Sequence, residues 1–335
     1  MTRKTIITLG LLFAAALAPV SAIHAAAFST PPVPVEPNAA TVPADARWII
    51  YLNIDQAMAT PGAGKYLGTF LDSRPGIQQA IDHVQTVMGN EFPGDFHRII
   101  IIGRKVGPGH GVVVMHATAT QRHISQIFYL NPAVGTMMIG KTRVNIIPSS
   151  DKNGYTTFES SPTQGTFVVS HSENALKHEL DVLRGKSTNM VGNNSLLAGA
   201  HNGLIFYLAD TDMAQLLNRP GQHPGPAWMK SVAGGWLAAR VEKEKLDIVG
   251  RFDLNNATSA AQIVQMAHGL QAMMDLSATN ANANPRQRFI ADLTDRLKVG
   301  AVGNTIHIHW AMSVAKLLAA QKFKPPATQQ SIRDQ

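Results

Sequence analysis

The most chemically suggestive pair in the sequence is His307-x-His309. On an extended strand successive side chains point to opposite faces, so both imidazoles share one face while Ile306, Ile308 and Trp310 share the other. Two imidazoles so spaced can hold one divalent metal ion such as zinc, once a carboxylate or a third histidine joins them. A neighbouring strand carries Asp247, Val249, Arg251 and Asp253 on one face, which makes Asp253, with Asp247, the candidate third ligand. Such a centre would suit metal-assisted hydrolysis. The competing reading is a sheet face whose histidines are hydrogen-bonded, since H-x-H alone is a short motif.

The remaining chemistry is sparser. The chain holds 13 histidines. His171 and His178 flank the start of a helix with Glu173 and Glu179 nearby, but no second histidine completes an H-E-x-x-H, so the helix reads as a surface element. The Gly-rich stretch from Gly103 to Gly111, with His110 inside it, lacks the Lys-Ser/Thr of a phosphate loop and leads into a strand instead of a helix. There is no G-x-S-x-G elbow and no S-x-x-K with downstream partners. Met137-Met138 and Met273-Met274 fall in core patterns as gap-fillers. Zero cysteines exclude disulfides, thiol nucleophiles and Cys-based zinc sites. No catalytic residue is assigned and no organic cofactor is implied.

Those residues need elements to position them. Strands are expected at Trp48–Ile54, His97–Gly103, Val112–His116, Thr142–Ile147, Tyr155–Glu159 and Thr166–Ser170, where β-branched and aromatic residues lie between turn residues. Helices are expected at 64–70, 76–88 and 121–129, and from Glu173 to Leu183 behind a Ser172 cap with Gly185 as the stop. The second half runs in a like order. Leu204–Ala209 is a strand, Thr211–Leu217 a short helix, and Ser231–Val241 with Leu246–Leu254 a hairpin. Thr258–Leu276 is a helix with a stripe of Ile263, Met266, Leu270 and Met273/Met274. A helix at Arg286–Leu297, a tight hairpin around Gly303-Asn304 and a Ser313-capped helix close the chain. The openings match locally, Trp48-Ile49-Ile50-Tyr51-Leu52 with Leu204-Ile205-Phe206-Tyr207-Leu208, and so do the strands before the Ser172 and Ser313 helices. The expected fold is α+β: two related halves with ferredoxin-like order of elements, each an antiparallel sheet with helices on one face.

The ends carry addresses. Arg3-Lys4, the uncharged run from Ile6 to Val20 and the small residues Ser21-Ala22 and Ala25-Ala26-Ala27 form a secretory signal peptide, cleavable after Ala22, Ala25 or Ala27. Residues 31–43 hold five prolines and one charge, an extended spacer. The expected organisation is a signal peptide over 1–27, a Pro-rich spacer over 28–44, α+β halves over 45–190 and 191–320, and a flexible tail over 321–335. Composition at 45% hydrophobic and 15% charged excludes wholesale disorder. The formal charge of +7 falls to +5 without Arg3 and Lys4, because residues 1–27 hold no acid. That excess is too mild and too scattered for nucleic acid. No later stretch reaches spanning length, so no transmembrane anchor is expected in the mature chain.

The leader, the spacer, Pro43-Ala44-Asp45-Ala46-Arg47-Trp48 and Val169-Ser170-His171-Ser172-Glu173-Asn174-Ala175-Leu176 together resemble uncharacterised exported bacterial proteins with a duplicated α+β plan. The resemblance covers most of the mature chain, and it implies no activity, cofactor or catalytic residue. The expectation is an exported binding or interaction module of the periplasm or extracellular space, its partner a small ligand or an envelope protein. The alternatives are a metal-assisted hydrolase using His307 and His309, or a structural envelope component.

Overall fold

The computed structural model describes Pro37 and residues 39–60, 96–105, 110–117, 134–148, 156–160, 165–191, 195–200, 203–212, 231–279 and 284–320. The leader, the tail, the first part of the spacer and the helices expected at 64–70, 76–88 and 121–129 lie outside these residues, as does most of the one expected at 211–217.

The strands are β1 (Trp48–Asn53), β2 (Phe96–Gly103), β3 (Gly111–Ala117), β4 (Gly135–Ile139), β5 (Thr142–Ile147), β6 (Thr157–Ser160) and β7 (Thr166–Ser170), then β8 (Leu204–Asp210), β9 (Val232–Glu242), β10 (Lys245–Leu254), β11 (Leu297–Val302) and β12 (Thr305–Ser313). The helices are α1 (Ile54–Ala59), α2 (Glu173–Leu183), α3 (Ala257–Thr279), α4 (Pro285–Asp295) and α5 (Val314–Ala320). Among the described residues all twelve strands join one sheet in the order β11-β12-β10-β9-β8-β1-β2-β3-β7-β6-β5-β4, with antiparallel pairing throughout. The fold class is thus α+β, but the two expected sheets are one. They meet where β1 pairs β8, with Tyr51 opposite Tyr207, Ile50 opposite Leu208 and Leu52 opposite Phe206.

Outward from that seam the order is β1, β2, β3, β7, β6 on one side and β8, β9, β10, β12, β11 on the other. The β4-β5 hairpin extends the first side beyond β6. A ferredoxin-like split β-α-β would set parallel strands side by side. Here β1, β2 and β3 are successive antiparallel neighbours, because the links the sequence allows include hairpins that return the chain beside itself.

The helices of the two sides lie on opposite faces of the joined sheet. α2 presses Leu176 and Leu180 onto the face that carries Ile49, Tyr51, Ile100, Ile102, Val112 and Val114. α5 and α3 cover the opposite face further along: Val314 packs with Phe206 and Leu246, and Ala260 and Ile263 pack with Leu254 and Ile306. The apolar stripe expected on α3 is only partly inward. Ile263 joins the core, while Met266, Leu270 and Met273 are exposed. The helix is apolar nearly all round, so period alone could not say which of its two stripes meets the sheet. Among the described residues no helix is long and apolar enough to cross a membrane.

The last residues of the expected spacer are packed. Ala39–Thr41 forms a single 3-10 turn, Val42 is wholly buried, and Pro43 bridges Asn189. The amide of Met190 donates to the carbonyls of Ala39 and Val42. Proline-bearing chain docks well here because its carbonyls, which need no donor of their own, accept from a neighbouring backbone amide.

Candidate functional site

The histidine pair lies as strand alternation demands. Ile306 and Ile308 pack against α3, and Trp310 packs against α5 and its neighbours, leaving His307 and His309 on the other face. Register decides which acid they meet. Val249 lies opposite His309 and Arg251 opposite His307, while Asp253 lies opposite Thr305. His309 Nε2 is 2.7 Å from Asp247 Oδ1, and the other oxygen of Asp247 accepts from Arg240 Nε and Nη2, each at 2.9 Å. Asp253 is held instead by Arg251 Nε and Nη2 at 3.2 and 3.1 Å and by the Thr305 hydroxyl at 2.7 Å. The structure therefore brings His309 to Asp247 and not to Asp253. Cross-strand neighbours add Arg240, Arg251 and Lys298 to the same face, and three fixed cations raise the cost of a divalent ion there. Among the described residues no group of three or more His, Asp or Glu is arranged to hold a metal ion.

A second constellation was not legible as a site. Ser172 caps α2, its Oγ accepting from the Ala175 amide at 3.3 Å, and its own amide donates to Ser170 Oγ at 3.1 Å. This fixes the direction in which α2 leaves β7. The helix then buries Leu176 and Leu180 on the sheet, and Glu179 falls on the same stripe with 1% of its surface exposed. Facing it is the end of the β2-β3 pair. The Trp48 ring lies flat on Gly103, where an added Cβ would come within 2.2 Å of it, and its indole N–H donates to the Lys105 carbonyl at 3.1 Å. Arg104, just after β2, and His110, just before β3, lie beside α2, the Arg104 amide donating to the His110 carbonyl at 3.4 Å.

Between these parts is a recess of about 120 Å³. Its apolar wall is Pro43, Ala46, Ile102, Val112 and Ala175; its polar wall is Arg104, His110, Ser172, Asn174, His178 and Glu179. Arg104 Nε donates to Asp45 Oδ2 at 2.8 Å. His178 Nε2 is 3.4 Å from Asp45 Oδ1 but is not directed at it as a hydrogen bond. Glu179 Oε1 is buried with no hydrogen-bond partner among the described residues. Burial pushes the Glu179 carboxyl up to about 8; the Arg104 charge pulls it down and the Asp45 charge pushes it up, both less strongly. At neutral pH Glu179 is thus an uncharged acid, a hydrogen-bond donor where an ionised carboxylate would only accept. The sequence signal was present but weak: a glutamate between Leu176 and Leu180 on a helix's apolar stripe.

Two more carboxyls are buried away from this recess. Burial raises Glu159 on β6 to about 7 and Asp210 at the end of β8 to about 6.

No family model matches the chain, and no curated protein matches it. Among solved structures it is similar to crystal form III of TP0453, at 12% identity and a TM-score of 0.43, over 84% of this chain and 96% of that one. It is similar also to form I of TP0453, at 11% identity and 0.41 over 87% and 97%, and to form IV, at 10% and 0.41 over 84% and 96%. At this identity and superposition the likeness says nothing of function.

Proposed function

We propose that the chain is an exported binding module, directed to the periplasm or extracellular space by residues 1–27, which captures a small ligand in the recess between α2 and the β2-β3 end. The observation that carries this reading is Glu179. A buried carboxyl without a partner costs roughly 1–3 kcal/mol, and such a group lining a recess is a reason to look for a ligand. The wall combines apolar surface with a few convergent polar groups, the usual make-up of a small-molecule site. The metal-assisted hydrolase reading has less support, since Asp247 and Asp253 are each bonded to arginine.

The two sides of the sheet are, on this proposal, related units. Support comes from the like strand order outward from the seam and from the symmetric register around Tyr51 and Tyr207. The divergence between them lies in what was inserted: β4 and β5 on one side, α3 and α4 on the other.

Binding is tested by ligand-observed magnetic resonance on the mature protein with three probes of one shape: butyrate, butyramide and butylamine. At least one is expected to bind, and Ala175→Leu, which fills the recess from its apolar wall, is expected to abolish that binding while the fold persists by circular dichroism. If none of the three binds, or if binding survives in Ala175→Leu, the recess is not the site.

A further inference from the structure

We propose that the ligand of this recess is a small monocarboxylate with a short apolar body, its head hydrogen-bonded by the Glu179 carboxyl and the Arg104 guanidinium. The inference rests on the binding reading above and narrows it to one chemical class.

The head is chosen by what the walls lack. Glu179 Oε1 is buried and unpartnered among the described residues. A protonated carboxyl donates one O–H, and a carboxylate is its best acceptor, because an O–H···O⁻ bond is short and charge-assisted. Arg104 engages Asp45 through Nε at 2.8 Å. A guanidinium carries five N–H donors, so its remaining groups suit a second planar anion. The Arg104 guanidinium bonded to Asp45 offsets part of its repulsion of that anion.

An ammonium head fits worse. It has only donors to offer a protonated Glu179, could gain from that carboxyl only if the proton were first lost to solvent, and would sit beside the Arg104 cation with Asp45 already engaged. A neutral amide could accept from Glu179 but offers Arg104 no charge. The body is fixed by shape: Ile102, Val112, Ala46 and Ala175 supply apolar wall, and about 120 Å³ is somewhat less than the ~150 Å³ that admits benzene. About six heavy atoms fit, the size of butyrate.

The titratable and charged groups around Glu179 are Arg104 just after β2, Asp45 from the segment before β1, His110 just before β3 and His178 on its own helix. Binding of this kind holds Glu179 protonated. Above the value of about 8 to which burial raises it, the ligand must either bring a proton or meet a second anion. Affinity then falls about tenfold per pH unit.

Calorimetric titration of the mature protein with butyrate, butyramide and butylamine between pH 6 and pH 10 tests this. Expected are binding of butyrate in clear preference to the other two, a tenfold loss per pH unit above about 8, and at least a tenfold loss in Arg104→Gln. Glu179→Gln keeps a neutral donor, so it should retain butyrate binding and lose the alkaline slope. Butylamine or butyramide binding as well as butyrate, or an unchanged slope in Glu179→Gln, overturns the carboxylate assignment while leaving the recess a binding site. Failure of all three probes removes the binding reading itself. Thermal melting of each variant separates lost binding from lost fold.

Discussion

Glu179 illustrates how one side chain can set the pH response of a domain. An acid whose folded value is raised to about 8 from an ordinary 4.5 holds a proton that the unfolded chain gives up. Below about 4.5 both states are protonated and nothing is lost. As pH rises from there to about 8 the unfolded state is favoured progressively, by roughly 1.4 kcal/mol per unit and several kcal/mol in all. Glu179→Gln is isosteric and cannot ionise. We expect its urea-denaturation midpoint to match that of the wild type near pH 4.5 and to exceed it at pH 8.5; equal midpoints at both pH values would show that Glu179 is not the buried acid described. Local pattern could not reveal this residue. The bounds of α2 were legible, but the helix read as a surface element, and Arg104, His110 and Asp45 come from distant parts of the chain. His307 and His309 were legible as a pair on one face by alternation. Their partner was not, because the choice between Asp247 and Asp253 depends on the registration of β10 against β12.

At the scale of elements, turns and caps translated most directly from sequence to structure. α2 begins and ends where Ser172 and Gly185 imply, Gly185 taking a φ of 68°. The β11-β12 turn uses Gly303 at a φ of 60°. The edge strand β4 was not foreseen, since its exposed Met138 and glycine start carry no apolar alternation. The β9-β10 turn is the strained counterpart of the glycine turn: Lys243 and Glu244 both take positive φ, 47° and 64°. A side chain with a Cβ pays about 1–2 kcal/mol for that conformation, and two-residue hairpins favour Asn-Gly there. Glu244→Gly should therefore raise stability by about 0.5–1 kcal/mol, read as a higher denaturant midpoint with an unchanged slope. The glycine under Trp48 gives the opposite expectation. Gly103→Ala would place its Cβ 2.2 Å from the indole, so the ring must move by more than about 1 Å to reach ordinary contact. We expect a loss of more than about 2 kcal/mol, read as a lower denaturant midpoint.

At the scale of the whole molecule, the seam between β1 and β8 determines whether the sides can exist apart. The matched openings were legible as a local likeness of sequence; that they pair with each other was not, because pairing of distant strands depends on global topology and not on local pattern. Each strand is buried along most of its length, and Tyr51, Tyr207, Ile49 and Ile205 are almost wholly enclosed. Tyr207 also ties the seam to the chain before β8, its hydroxyl donating to the Leu196 carbonyl at 2.9 Å and accepting from the Gly199 amide at 3.3 Å. Separating the sides would turn both central strands into long apolar edges, the kind of surface that drives aggregation. Residues 28–194 and 195–335 expressed singly are therefore expected to be insoluble or unfolded. Produced together, they should re-form one complex, since five register pairs from Trp48–Asp210 to Leu52–Phe206 and the enclosed tyrosines direct the pairing. Co-purification with tagged and untagged halves, followed by a melt of the complex, measures this. Two halves that each fold and stay monomeric would show that the seam joins independent domains, and that the sheet is continuous only in registry and not in cooperativity.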